Sequence, residues 1–129
     1  MAREELLIRL SMFEEQAREL GERIRIIDNQ IGEMENLNLS LVRMEKSRGK
    51  EMLAPLGRGI FLKTDVKDEK VFVNVGSKIL VRKSLSEAAD IVKGQIRELE
   101  TARIHFMASL EQVNDSLSRL IEEANKEEK

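Results

Sequence analysis

The stretch LAPLGRGIFLKTDVKDEKVFVNVGSKILVRKSLSEA, from Leu53 to Ala88, alternates apolar runs with turn chemistry before it ends in a helix signal. With the two residues before it, it predicts four short strands: Glu51 to Leu56, Ile60 to Asp65, Lys70 to Val75 and Lys78 to Lys83. Gly57-Arg58-Gly59, Lys67-Asp68-Glu69 and Gly76-Ser77 separate them, and the glycines supply the positive φ angles that tight hairpins require. Two successive hairpins are the simplest topology. Pro55 has no N–H to give to a ladder, so the first strand is expected at an edge, or paired on one side only there. Strands this short bury little, and their free N–H and C=O groups invite another chain. The insert is therefore expected to be an assembly surface, with Leu53, Pro55, Ile60, Leu62, Val71, Val73, Val75, Ile79 and Val81 as its apolar residues; the alternative is a self-contained cap on the helices.

Outward from the insert, both flanks carry heptad ladders. One steps through Leu6, Leu10, Phe13, Ala17, Leu20, Ile24, Ile27, Ile31, Met34, Asn38 and Leu41; the other through Leu85, Ala89, Val92, Ile96, Leu99, Arg103, Phe106, Leu110, Val113, Leu117, Leu120 and Ala124. A period of 3.5 residues sustained this long puts the apolar side chains on a narrow seam that a partner helix must cover. The first helix is predicted over residues 2 to about 47, ended at Gly49. The second starts at the capping signal Ser84-Leu85-Ser86-Glu87 and runs to about residue 125, followed by a charged tail, 126–129. The fold class is then α+β: an antiparallel two-helix coiled coil with two central β-hairpins, all within a single subunit of residues 1–129. Residue numbers across the seam sum to about 131, which sets Arg103 opposite Asp28.

Composition bounds the chemistry. Of 129 residues 36% are charged and 3% aromatic, and there is no cysteine, so disulfides, thiolate metal sites and a cysteine nucleophile are excluded and a reducing compartment fits. The charged opening residues carry neither a secretory signal core nor a membrane span, which predicts a soluble protein with no membrane role. Residues 1–45 hold 6 basic and 10 acidic side chains, residues 46–83 hold 10 and 4, and residues 84–129 hold 6 and 10. The basic middle alternates with strand residues and acidic groups, a weak footprint for nucleic acid. No glycine-spaced phosphate loop is present, and no cofactor is expected. His105 falls outside the seam with no second ligand near it, and carboxylate pairs such as Glu4-Glu5, Glu14-Glu15 and Glu122-Glu123 point in different directions on their helices. The expected function is binding, not catalysis, with no metal.

With the seam covered, the informative apolar residues are those off it. Near the beginning of the first helix and the end of the second these are Leu7, Ile8, Met12 and Ile121, beside the seam residues Leu6, Leu10, Leu117 and Leu120, which fraying would partly expose. Such a cluster suits loose contact with other proteins' hydrophobic segments. Ile26, Leu39, Val42, Ile104 and Met107 are off the seam mid-helix, so the enrichment is modest.

The order helix, paired hairpins, helix resembles the α-class subunit of prefoldin, specifically in Leu53 to Gly59, in Val73 to Gly76, and in the strand leading into Lys83-Ser84-Leu85 and Glu87-Ala88-Ala89. The resemblance implies an ATP-independent holdase in which two α and four β subunits join through a double β-barrel body bearing six coiled-coil arms. The α class contributes two hairpins and the β class one. It also implies arm tips that grip non-native protein, namely Leu6, Leu7, Ile8, Leu10, Met12, Leu117, Leu120 and Ile121, delivery to a group II chaperonin, and an archaeal or eukaryotic cytosol. Glu122, Glu123, Glu127 and Glu128 are the candidates for meeting basic patches on that chaperonin. Two other readings compete: a self-assembling filament or scaffold without a β-class partner, and a nucleic-acid scaffold using Lys63, Lys78, Arg82 and Lys83.

Overall fold

A computed structural model describes residues 2–127, with nothing to be said of the Glu127 side chain. The order of elements is α1 (Arg3–Met44), β1 (Glu51–Gly57), β2 (Ile60–Asp65), β3 (Lys70–Asn74), β4 (Leu80–Ser84) and α2 (Leu85–Glu127). Two long helices therefore flank two strand pairs along the chain, as the sequence predicts. The chain divides into two compact units, Met1–Gly32 with Arg97–Lys129, and Glu33–Ile96.

The first unit is helix against helix. Ile24, Ile27, Leu6 and Leu120 are its buried residues, all on the predicted ladders. Asp28 of α1 meets Arg103 of α2 at 2.6 Å, and Arg23 lies 5.6 Å from the centre of the Phe106 ring. Numbers that fall along α1 while they rise along α2 define an antiparallel pair, and the Asp28–Arg103 contact sits on the expected sum of 131.

The second unit holds the hairpins. Its core is Leu41 of α1 with Leu85, Ala88 and Val92 of α2, and Met34, Met44, Ala89, Ile96, Val71 and Val73 pack against it. Each such large side chain removed from water contributes about 1.5–3 kcal/mol. β1 pairs only with β2 and β3 only with β4, both antiparallel, in two separate two-stranded sheets. All four strands are therefore edges.

Local boundaries differ from the sequence expectation: β1 and β4 each end one residue later, at Gly57 and Ser84, α2 runs to Glu127 instead of about 125, and the other differences have a backbone reason. α1 stops at Met44, not near residue 47, because Lys46 takes a left-handed φ of 60°; Gly49, φ 82°, serves the next turn. Lys78 is not in a strand, since Gly76, Ser77 and Lys78 all have positive φ, and the turn closes by Val75 N–H donating to Ile79 C=O at 3.0 Å and Ile79 N–H to Gly76 C=O at 2.9 Å. A residue with positive φ breaks the strand conformation, so β4 starts at Leu80. β3 correspondingly ends at Asn74, one residue before the predicted Val75. In β1 the pairing slips between Pro55 and Gly57, which bulges out Leu56 where the proline ring could not serve a regular ladder.

The start of α2 follows the predicted capping signal. Glu87 N–H donates to Ser84 Oγ at 3.1 Å, and Ser84 N–H donates to Glu87 Oε1 at 3.3 Å, so two amides left open by the helix end are satisfied reciprocally. No helix among the described residues is long and apolar enough to cross a membrane.

Candidate functional site

The hairpins present apolar side chains to solvent on a scale that a finished surface would not. In the first, the antiparallel register sets Leu53, Pro55 and Phe61 on one face and Met52, Ala54 and Leu62 on the other. Leu53, Leu56, Ile60, Phe61 and Leu62 are all more than half exposed, and none of the hairpin's residues belongs to the buried core. Both faces thus expose apolar side chains, although Ala54 and Thr64 on the second are half-buried. In the second hairpin the alternation is resolved: Val71 and Val73 turn inward onto the helices, Val81 is half-buried, and Phe72 and Leu80 turn outward, 67% and 61% exposed. Val75 and Ile79 are exposed at the turn.

Of the assembly residues expected from sequence, Leu53, Pro55, Ile60, Leu62, Val75 and Ile79 are exposed, whereas Val71 and Val73 serve the chain's own core. Met52, Leu56, Phe61, Phe72 and Leu80 belong to the exposed set and were not singled out by the pattern. The signal for them was present in strands that are apolar at successive positions, not only at alternate ones.

The second apolar group lies in the other unit, where α1 begins and α2 ends. Leu7, Ile8, Met12 and Ile121 are 58%, 60%, 57% and 51% exposed. Leu10 and Leu117 are half-buried, and Leu6 and Leu120 are buried at 2% and 7%. The partial exposure of Leu6 and Leu120 expected from fraying is not what the structure holds, because the facing helix covers both. A groove beside them is lined by Arg9, Phe13, Ser116, Arg119, Leu120 and Glu123. Glu122 and Glu123 are exposed; Glu128 lies outside the described residues.

Several charged residues of the hairpin segment already face a partner of opposite charge. Lys63 pairs with Glu51 at 3.2 Å, Arg82 with Asp68, and Lys83 with Glu87 at 3.8 Å. Three of the four cations that a nucleic-acid reading needs thus already face carboxylates. The Asp68 carboxyl is held below the ordinary carboxylate range, first by accepting the Lys70 backbone N–H and then by Arg82; Glu87 is lowered by its bonds to Ser84. His105 is exposed on α2, and among the described residues no group of three or more His, Cys, Asp or Glu is placed to hold a metal ion.

Residues 13–129 match the family model described as Prefoldin subunit. The chain belongs to the prefoldin family. Its prefoldin relatives include the prefoldin subunit alpha of Methanobrevibacter smithii, 27% identical over 93% of this chain and 83% of the relative, and that of Thermofilum pendens, 34% identical over 76% and 78%. The α-class resemblance seen in the central stretch is thus matched along most of the chain. Among solved structures, a filamentous prefoldin from Methanocaldococcus jannaschii shares the fold with a TM-score of 0.79, at 23% identity over 89% of this chain and 97% of that one.

Proposed function

We propose that this prefoldin chain is a subunit of an ATP-independent holdase that captures non-native proteins and hands them to a group II chaperonin. The observation that carries the reading is the exposure of Leu7, Ile8, Met12 and Ile121 together, where α1 begins and α2 ends. Four unpartnered apolar side chains, one of them an adaptable methionine, suit contact that is tolerant of sequence. Leu6, Leu10, Leu117 and Leu120 form the seam beneath them. Weak contacts of this kind become effective when several arms act on one client.

The hairpins supply the assembly. Their open edges and uncovered apolar faces suit β-class prefoldin subunits, two α with four β, in a shared β-barrel body. Residues 1–129 work as one subunit in this reading. Glu122 and Glu123, with Glu127 and Glu128, are the proposed contacts to basic patches on the chaperonin, and the cytosol is the proposed location, in keeping with a chain that has no cysteine.

Removing residues 1–12 and 118–129 from the assembled complex tests the grip: suppression of client aggregation is expected to vanish while assembly persists. Suppression that survives the truncation rejects the grip. Solution mass separates the holdase from a filament-forming scaffold. A monomer or dimer that becomes a hexamer only with a second subunit supports the first, and a regular ladder of growing oligomers the second.

A further inference from the structure

The two hairpins share no sheet, so no ladder fixes one against the other. What ties them is the connection between β2 and β3, which makes more hydrogen bonds than a plain loop needs. Val66, only 9% exposed, donates its N–H to Lys50 C=O at 2.9 Å and accepts the Gly49 N–H at 2.7 Å, closing the base of the first hairpin. Two residues on, Asp68 accepts the N–H of Lys70, the first residue of β3, at 2.9 Å, and its other oxygen takes the guanidinium of Arg82 in β4. The adjacent Glu69 accepts the N–H of Lys46 at 3.1 Å, in the turn where α1 ends. Ser47, the next residue, is buried and bonded back to Met44. Two consecutive carboxylates thus reach both strands of the second hairpin and the end of α1.

The first hairpin has no residue in the core, so its own packing does not orient it. We propose that Asp68 and Glu69 are positioning residues that hold the first hairpin at one orientation to the second hairpin and to α1, so that both apolar surfaces meet partner subunits already in place. This rests on the hairpins being the assembly surface. Charge-assisted bonds from two side chains are stronger than neutral ones, and fixing a binding element beforehand removes the ordering cost from association. Neither carboxylate bonds to the first hairpin itself; each acts on it through the short connection that follows Val66.

Because the chain has no cysteine, Ile60→Cys and Val75→Cys give a single pair of spin labels, one on each hairpin. In the otherwise native chain the inter-label distance distribution is expected to be a single narrow peak. Asp68→Ala with Glu69→Ala is expected to broaden it roughly two-fold and, in the unlabelled chain, to lower the share that joins a β-class subunit from the same host by about five-fold, with helix content by circular dichroism unchanged. Asp68→Asn, which keeps an acceptor for the Lys70 N–H and gives up the charge facing Arg82, is expected to fall between, and it serves if the double variant does not fold. An unchanged distance distribution overturns the positioning role. Broadening with full assembly overturns the link between orientation and association. A native chain that does not join the β-class subunit at all rejects the underlying assembly reading, whatever the labels report.

Discussion

Arg103 Nε donates to Asp28 Oδ1 at 2.6 Å across the antiparallel pair, yet both side chains stay well hydrated, 41% and 48% exposed. The pair interrupts the α2 ladder where a leucine would have continued it. From the ladder alone Arg103 leans toward burial, where desolvation would cancel the attraction. At the observed exposure the pair behaves as a surface ion pair that marks register. A double-mutant cycle of Arg103→Leu and Asp28→Leu, followed by urea unfolding, is expected to give a coupling of about 0.5 kcal/mol that shrinks in 1 M salt, where the screening length is about 3 Å. A coupling near zero would remove the pair from the determinants of register.

Asn38 occupies the corresponding break on α1, and its Oδ1 is buried without a hydrogen-bond partner. An unsatisfied buried polar atom costs about 1–3 kcal/mol, and the ladder around it, Met34 and Leu41, is apolar. Asn38→Leu is therefore expected to raise stability by about 1 kcal/mol or more in urea unfolding. A loss of stability would mean that the Asn38 amide is hydrogen-bonded in solution and contributes to the fold.

Exposure separates the residues proposed to grip from those that hold the helix pair together. Leu7→Ser, Ile8→Ser, Met12→Ser and Ile121→Ser remove exposed surface only and are expected to leave the unfolding midpoint nearly unchanged while abolishing protection of an aggregating client. Leu6→Ala deletes a side chain that is 2% exposed and is expected to cost about 2 kcal/mol or more. If Leu6→Ala unfolds the arm no more readily than Ile8→Ser, the seam does not hold at this end.

The sequence made the register legible because a 3.5-residue period admits one solution once the connecting segment returns the chain, and Ser84-Leu85-Ser86-Glu87 marked the start of α2 to the residue. The end of α1 was hidden. Gly49 advertises a left-handed position, but Lys46 adopts one first, held by Glu69 from 23 residues away, and no local signal carries that contact. The inward face of the second hairpin was half legible: Val71 and Val73 alternate correctly, but with Phe72 between them the pattern does not say which side meets the helices. In the first hairpin neither side reaches the core, so alternation had no core face to mark.

Acid is expected to weaken both units, the hairpin unit through Asp68 and Glu87 and the helix pair through Glu22 and Glu15, whose carboxyls are lowered by their bonds to Arg25 and Arg18. Asp68 and Glu87 each have a folded-state carboxyl lowered below its ordinary value, Asp68 mainly by the Lys70 N–H, with Arg82 adding, and Glu87 by the Ser84 hydroxyl and amide, with Lys83 and Lys70 nearby. A group whose pKa is depressed on folding contributes stability that is present above its unfolded value and is lost as pH falls through its folded value. Stability is thus expected to be flat near neutrality and to decline below about pH 4. The decline should be shallower in Glu87→Gln and Asp68→Asn, which no longer titrate at these positions. Amide exchange followed from pH 7 to pH 3 locates the effect, since protection should fall at Lys70, Ser84 and Glu87, and that fall should be reduced in Glu87→Gln and Asp68→Asn. A fall at these three amides that is the same in both variants as in the native chain would mean that carboxylates elsewhere, not these two, govern the acid transition.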